Sequence, residues 1–490
     1  MDKSIFIRLR RGGLRLISLL MALLMLFSIA LADEMPSPTR NPDANPYDSD
    51  HPELLDEDQL VAAAAILIEE HTGRVIFEKN PDAIMYPAST TKIVTVLLGI
   101  MMCEMDEVVT VSARAVNLPE DSSTMGLREG EQIIMRDLLY GTMLRSGNDG
   151  AIAIAEHVSG SVEAFVDLMN EFAVLNGCYN THFVNPHGLH DDAHYSTARD
   201  LAMLTRVAMD NETFRKIAGT TSYNLPRTNA QRSRTITTRH KIMRVPTEDN
   251  PNRHYYQYIT GVKSGSHSRA AYCYVGSATK EGVDLISVVL YSNSSDMYGD
   301  TKKLMEYGFS QFISVTPVEL YNMNPITLEA SNFSLNDTMM GQVTLSCVPA
   351  DEAASQVKIT ATKDEVEYMA GHLRDTVLIE YARDFSAPIT AGEVLGTMTY
   401  VTQEGDLAVF NLTANRSVAR RENIPKTLEE IVAETESDEN PFPPFSLDLL
   451  LIFLSPLIAF VVILLIARRI YRRIHKRQER LPRNSRRYLK

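Results

Sequence analysis

A chain of 490 residues has room for two or more domains, and 44% hydrophobic with 22% charged content is that of a globular protein able to bury a sizeable core. The net charge of −14 understates how acidic the body is: with both ends set aside, 32 basic residues face 59 acidic ones, a poor composition for gripping nucleic acid. Cys103, Cys178, Cys273 and Cys347 are far apart, without metal-ligand spacing or a dense disulfide framework, so they read as buried single thiols, with one bridge left open.

The N-terminus places Lys3, Arg8, Arg10, Arg11 and Arg15 before an apolar run at 16–31 that ends in Ala30-Leu-Ala32. That order predicts a signal peptide over 1–32, an uncleaved anchor being the competing reading. Residues 33–57 are acidic and Pro-rich and are expected to form an unstructured spacer. Ala64-Ala-Ile-Leu-Ile68 and Arg74-Val-Ile-Phe77 flank a Gly73 turn and predict a β-hairpin.

Next comes Pro87-Ala-Ser-Thr-Thr-Lys92, opening into the apolar run 93–102. It reads as a buried helix whose hydroxyls cap its first turn. At a spacing of three, Ser89 and Lys92 share one face, so the amine lies within reach of the hydroxyl proton, the arrangement of an activated serine. The bland alternative is a capped core helix with a surface lysine, since Ser-x-x-Lys is common by chance.

Between 129 and 160 the pattern is helical, with Ile133, Ile134, Leu138, Leu139 and Met143, interrupted by Arg145-Ser-Gly-Asn-Asp149 as a polar loop between two helices. Phe165, Met169 and Phe172 mark another helix. The turn-rich Phe183-Val-Asn-Pro-His-Gly-Leu189 follows, then a helix at 198–209. Residues 221–254 are polar and contain Pro226, Pro246 and Pro251, predicting long connections. Strands are expected at 258–263, 271–277 and 283–291, with a closing helix over 301–312.

The fold class is therefore α/β, an antiparallel sheet with a helical region over 58–314. A small β domain without a long helix follows at 315–425, then an acidic linker at 426–446. The apolar run 447–467 would span about 31 Å as a helix, enough to cross the hydrocarbon core. Eleven Lys or Arg residues lie in 468–490, so the tail is expected in the cytoplasm and the body outside.

Three polar islands stand at element boundaries: Ser89-Thr-Thr-Lys92, Ser146-Gly-Asn148 and Lys263-Ser-Gly265. Their order and spacing resemble the three signatures of serine penicillin-binding proteins and β-lactamases. Together with Asn185-Pro-His-Gly188 and Ser196-Thr-Ala-Arg-Asp200, they look like the D-alanyl-D-alanine carboxypeptidases of peptidase family S11, and the β domain is similar to that family's C-terminal domain.

The resemblance implies Ser89 as nucleophile, Lys92 as base, Ser146 as proton carrier to the leaving amine and Asn148 as holder of Lys92 and the substrate amide. It implies that Lys263, Ser264, Gly265 and Ser266 bind substrate, with the N–H groups of Ser89 and Ser266 as the oxyanion hole. The expected partners are peptidoglycan stem peptides, with β-lactams as inhibitors, at a membrane-anchored enzyme that needs no metal or cofactor.

Ser264 stands where the family usually has Thr, Ala271 where Gly is common, and Met297 where an arginine often binds the substrate carboxylate, Arg269 being a possible substitute. A β-lactamase and a non-hydrolytic penicillin-binding sensor or wall-binding protein are the rival readings. Taken as residues alone, Ser146 and Asn148 could be helix caps and Lys263 a solvated edge charge, while His187 and His190 suggest a metal pair but, in a Pro-Gly turn without further ligands, read rather as structural.

Overall fold

The computed structural model describes residues 37–402 and 405–422, with a few isolated positions beyond. Signal peptide 1–32, span 447–467 and tail 468–490 lie outside this region or are touched only at isolated positions. Among the described residues no helix is long and apolar enough to cross a membrane.

The larger unit is built on five antiparallel strands. They are β1 (Ala64–Glu69), β2 (Val75–Lys79), β3 (Ile259–His267), β4 (Ala271–Lys280) and β5 (Val283–Ser292), in the spatial order β2-β1-β5-β4-β3. Strand β5 is central and buried on both faces, which its near-continuous run of Val, Leu and Ile reflects. Side chains alternate: Ile66, Ile286 and Val288 join the core on the helical side, while Leu67, Leu285 and Val289 join the core on the other.

The helical layer contains α1 (Lys92–Met102), α2 (Met135–Arg145), α3 (Asn148–Ser159), α4 (Val162–Leu175) and α5 (Ala198–Met209). Helix α6 (Met297–Gln311) packs on the opposite face of the sheet. Helix α1 is the hub. Ile93, Val94, Val96, Leu97 and Leu98 are each at most 2% exposed, and full burial of such side chains stabilises by about 1.5–3 kcal/mol apiece. A Cβ at Gly99 would lie 2.9 Å from Leu139 of α2, so glycine lets these helices approach closely.

Several expectations need correction. Ser89 lies in a 3₁₀ turn, Ala88–Thr91, and the α-helix begins at Lys92. Thr90 and Thr91 do not cap N–H groups; their hydroxyls donate back to Pro87 O and Ala88 O, each at 2.8 Å. Ile133 and Ile134 belong to strand Gln132–Ile134, paired with Val108–Thr110. Within 221–254, Ser222–Leu225 and Arg234–Thr237 form a hairpin. The acidic spacer is ordered from 37 onward: turns Pro52–Leu54 and Glu57–Gln59 form, Leu55 is buried, and Arg40 pairs with Asp296 at 2.8 Å.

The second unit is not all-β. Its sheet runs, in spatial order, Thr327–Glu329, Gln342–Pro349, Leu407–Ala414, Val394–Val401 and Leu378–Tyr381, but helix Lys363–Thr376 packs into the same core. That helix has a capping box, Thr362 with Glu365, and buries Val366, Ala370 and Leu373 on one stripe. The boundary also moves: α6 ends at Gln311, and the next residues, Phe312–Val315, form a strand paired with Ile359–Thr362.

Phe410 is fully buried at the centre of this core. Phe410→Ala is expected to cost about 3–5 kcal/mol of this unit's stability. Hydrogen exchange under mild denaturant should show early opening of 316–421 while α1 to α5 stay protected.

Candidate active site

The first island meets the second through the amine of Lys92. This side chain is 0% exposed. Its Nζ lies 3.1 Å from Ser89 Oγ, 2.7 Å from Asn148 Oδ1 and 2.6 Å from the main-chain oxygen of His187. Burial, and then the positive charge of Lys263, hold the ammonium pKa well below its ordinary value. A neutral amine has two N–H donors and one lone pair. The two shorter contacts are to pure acceptors and use both donors, which leaves the lone pair for the hydroxyl proton of Ser89.

The second island meets the third through Lys263, also 0% exposed, which donates to Ser146 Oγ at 3.0 Å and to Ser264 O at 2.8 Å. Burial foremost, then the Arg239 cation, lower its pKa to about 7. Lys263 is therefore no solvated edge charge. Ser146 ends α2 in the left-handed conformation, φ 58°, and Asn148 opens α3; neither side chain caps a helix. Strand β3 presses on the nucleophile turn, where a Cβ at Gly265 would sit 2.8 Å from Ser89 N. Ser266 is the next residue on β3 and is exposed.

Two buttresses were not foreseen. Asp149 accepts from the N–H groups of Met125, Gly126 and Leu127, each at 2.9 Å, and so ties the segment in front of α2 to the start of α3. His240, 1% exposed, accepts from Ser264 N–H through Nε2 at 3.3 Å; burial, and then Lys263, hold its pKa far down, so the ring is neutral. Asp149 adjoins a recognised motif and could have been read as an N-terminal acid. Nothing local marks His240, because its partner lies 24 residues away.

The Asn185-Pro-His-Gly turn acts through its backbone. Asn185 Oδ1 accepts from Gly188 N–H at 2.7 Å, Pro186 O accepts from Thr95 Oγ1 at 2.6 Å, and His187 O receives Lys92. His190 packs edge-on against Tyr86, with ring centroids 4.8 Å apart. Gly188 has φ +83°, and a Cβ there would fall 1.8 Å from Ala88 O. Gly188→Ala is therefore expected to displace the turn that carries Ser89, destabilising by about 2 kcal/mol or more. Thermal melting and the rate of Ser89 acylation should fall together.

Among the departures, Met297 is 7% exposed and packs into the core between the sheet and α6, so it offers nothing to a bound carboxylate. Ala271 takes φ 51°, a conformation glycine adopts without strain. The four cysteines are unbridged.

A serine hydroxyl under a buried amine whose pKa is pushed down, with a second lysine and an edge strand beside it, defines a serine acyl-transfer hydrolase. The profile of the family described as D-alanyl-D-alanine carboxypeptidase, peptidase S11, matches residues 51–294. D-alanyl-D-alanine carboxypeptidase DacA of Haemophilus influenzae is 30% identical over 374 residues, 74% of this chain and 86% of that protein. DacF of Bacillus subtilis is 34% identical over 257 residues, 51% of this chain and 63% of that protein's length. Penicillin binding protein 5 from Haemophilus influenzae, a solved structure, aligns at 28% identity with a TM-score of 0.49, covering 75% of this chain and all of that one. The chain belongs to the D-alanyl-D-alanine carboxypeptidase family, and is a serine peptidase of that family.

Proposed function

We propose that this protein removes the terminal D-alanine from peptidoglycan stem peptides through an acyl-enzyme on Ser89, and that penicillins acylate the same hydroxyl. The observation that carries the reading is the triple contact of Lys92 Nζ with Ser89, Asn148 and His187 O.

Lys92 takes the Ser89 proton as the oxygen attacks the carbonyl of the penultimate D-alanine. The oxyanion forms against the N–H groups of Ser89 and Ser266. Ser146, polarised by Lys263, hands a proton to the departing D-alanine amine, and water then hydrolyses the ester. Ser264 and Lys263 receive the terminal carboxylate, and Gly265 lets the peptide backbone lie along β3 as an added strand. With Met297 packed away from the cleft, Lys263 supplies the positive charge for that carboxylate.

The same reading extends to the whole chain: an exported enzyme anchored by 447–467, its tail 468–490 in the cytoplasm and its cleft at the wall. The 315–425 unit, similar to the family's C-terminal domain, stands between cleft and membrane.

Incubating the full-length protein in detergent with a D-Ala-D-Ala pentapeptide tests the activity. Stoichiometric release of D-alanine supports it. Penicillin labelling without release would leave a sensor in its place, and rapid penicillin turnover a β-lactamase.

A further inference from the structure

The far ends of two catalytic helices meet in a cluster that the reaction does not use. Helix α1 begins with Lys92 and ends at Met102, with Cys103 as the residue that follows it; helix α3 begins with Asn148 and carries His157 in its last turn. Lys92 and Asn148 touch at one end of this pair. At the other, Cys103, Glu107 and His157 place one thiol, one carboxylate and one imidazole with their ligand atoms within 4.8 Å of one another. The span along α1 is about 16 Å.

We propose that Cys103, Glu107 and His157 form a binding site for a thiophilic divalent cation, zinc being the best match, which clamps the ends of α1 and α3 together opposite the catalytic cleft. Sulfur, nitrogen and one oxygen make the three-protein-ligand set that zinc accepts, leaving a fourth tetrahedral position for water.

The carboxylate is already oriented for this. Glu107 Oε1 accepts from Glu104 N–H at 2.6 Å, while Oε2 faces His157 Nε2 at 2.9 Å, so one oxygen is held by backbone and the other is directed at the cluster. The segment itself is pinned, since Met135 N–H donates to Glu107 O at 2.8 Å and Arg136 N–H to Met105 O at 2.9 Å. Tetrahedral zinc needs nitrogen and oxygen about 3.3 Å apart. The side chains of His157 and Glu107 are 26% and 40% exposed, which leaves room for their contact to widen by that much. On binding, Cys103 releases its S–H proton to water and bonds through sulfur. The proton that His157 holds on Nε2 against Glu107 is released or passes to Nδ1, which frees the Nε2 lone pair for the metal.

The test uses untagged full-length protein stripped with a chelator, then titrated with Zn²⁺ against a chromophoric competitor and separately with Co²⁺. One equivalent of zinc should bind, raise the melting temperature, and weaken at least about 10-fold in Cys103→Ser and in His157→Asn. Both variants should still label with penicillin, showing that they fold. The Co²⁺ form of the unaltered protein should show a thiolate-to-cobalt charge-transfer band, a readout independent of any variant. Absence of that band, or zinc uptake unchanged in Cys103→Ser, overturns the proposal.

Discussion

Ser89→Ala is expected to lower D-alanine release by roughly 10⁴–10⁶-fold and to abolish covalent labelling by a fluorescent penicillin. The loss is this large because no neighbouring oxygen can take over: Thr90 and Thr91 have their hydroxyls committed to Pro87 O and Ala88 O. Stability should barely change, by about 0.5 kcal/mol or less, because Ser89 is only half-buried and Lys92 keeps its acceptors on Asn148 and His187. A variant that still released D-alanine at a tenth of the original rate would place the nucleophile elsewhere.

Lys92→Met should cost roughly 10²–10⁴-fold in acylation, the usual contribution of a positioned base. The pH profile carries the sharper expectation. Only the neutral amine can accept the Ser89 proton, so the rate rises with pH through the lowered pKa of Lys92. Burial is the larger cause of that lowering and the Lys263 charge the next. Lys263→Met removes the repulsion, raises the pKa of Lys92, and must move the rising limb toward alkaline pH as well as weakening carboxylate binding. In the unaltered protein the repulsion is strongest below about pH 7, where Lys263 is itself protonated. Stopped-flow penicillin acylation across pH reads this directly; a limb that stayed in place or moved toward acid would separate the two lysines electrostatically.

The three islands were legible because each is short, and each lies where an apolar period starts, breaks or ends. Spacing placed Ser89 beside Lys92, and the structure adds that a 3₁₀ turn, not a capped first helical turn, does the presenting. What sequence could not supply were contacts across distance: the carbonyl of His187 on Lys92, and His240 behind Ser264. A main-chain oxygen has no residue-type signature, and a neutral buried histidine looks like any other. The cluster of Cys103, Glu107 and His157 was invisible for the same reason, because two helices of a packed bundle are needed to bring its members together. Helix Lys363–Thr376 is a different kind of miss. Thr362 and Glu365 formed a readable capping box, and Val366, Ala370 and Leu373 a readable stripe, but strand-rich surroundings on both sides masked them.

The direct passage from α6 into strand Phe312–Val315 leaves no spare chain between the units. Arg74 further ties them, lying 5.0 Å over the Phe312 ring and 2.9 Å from Glu365. Such a joint behaves as a bracket rather than a tether. If the chain is rooted in a bilayer, the cleft and the second unit turn and travel toward the wall as one piece.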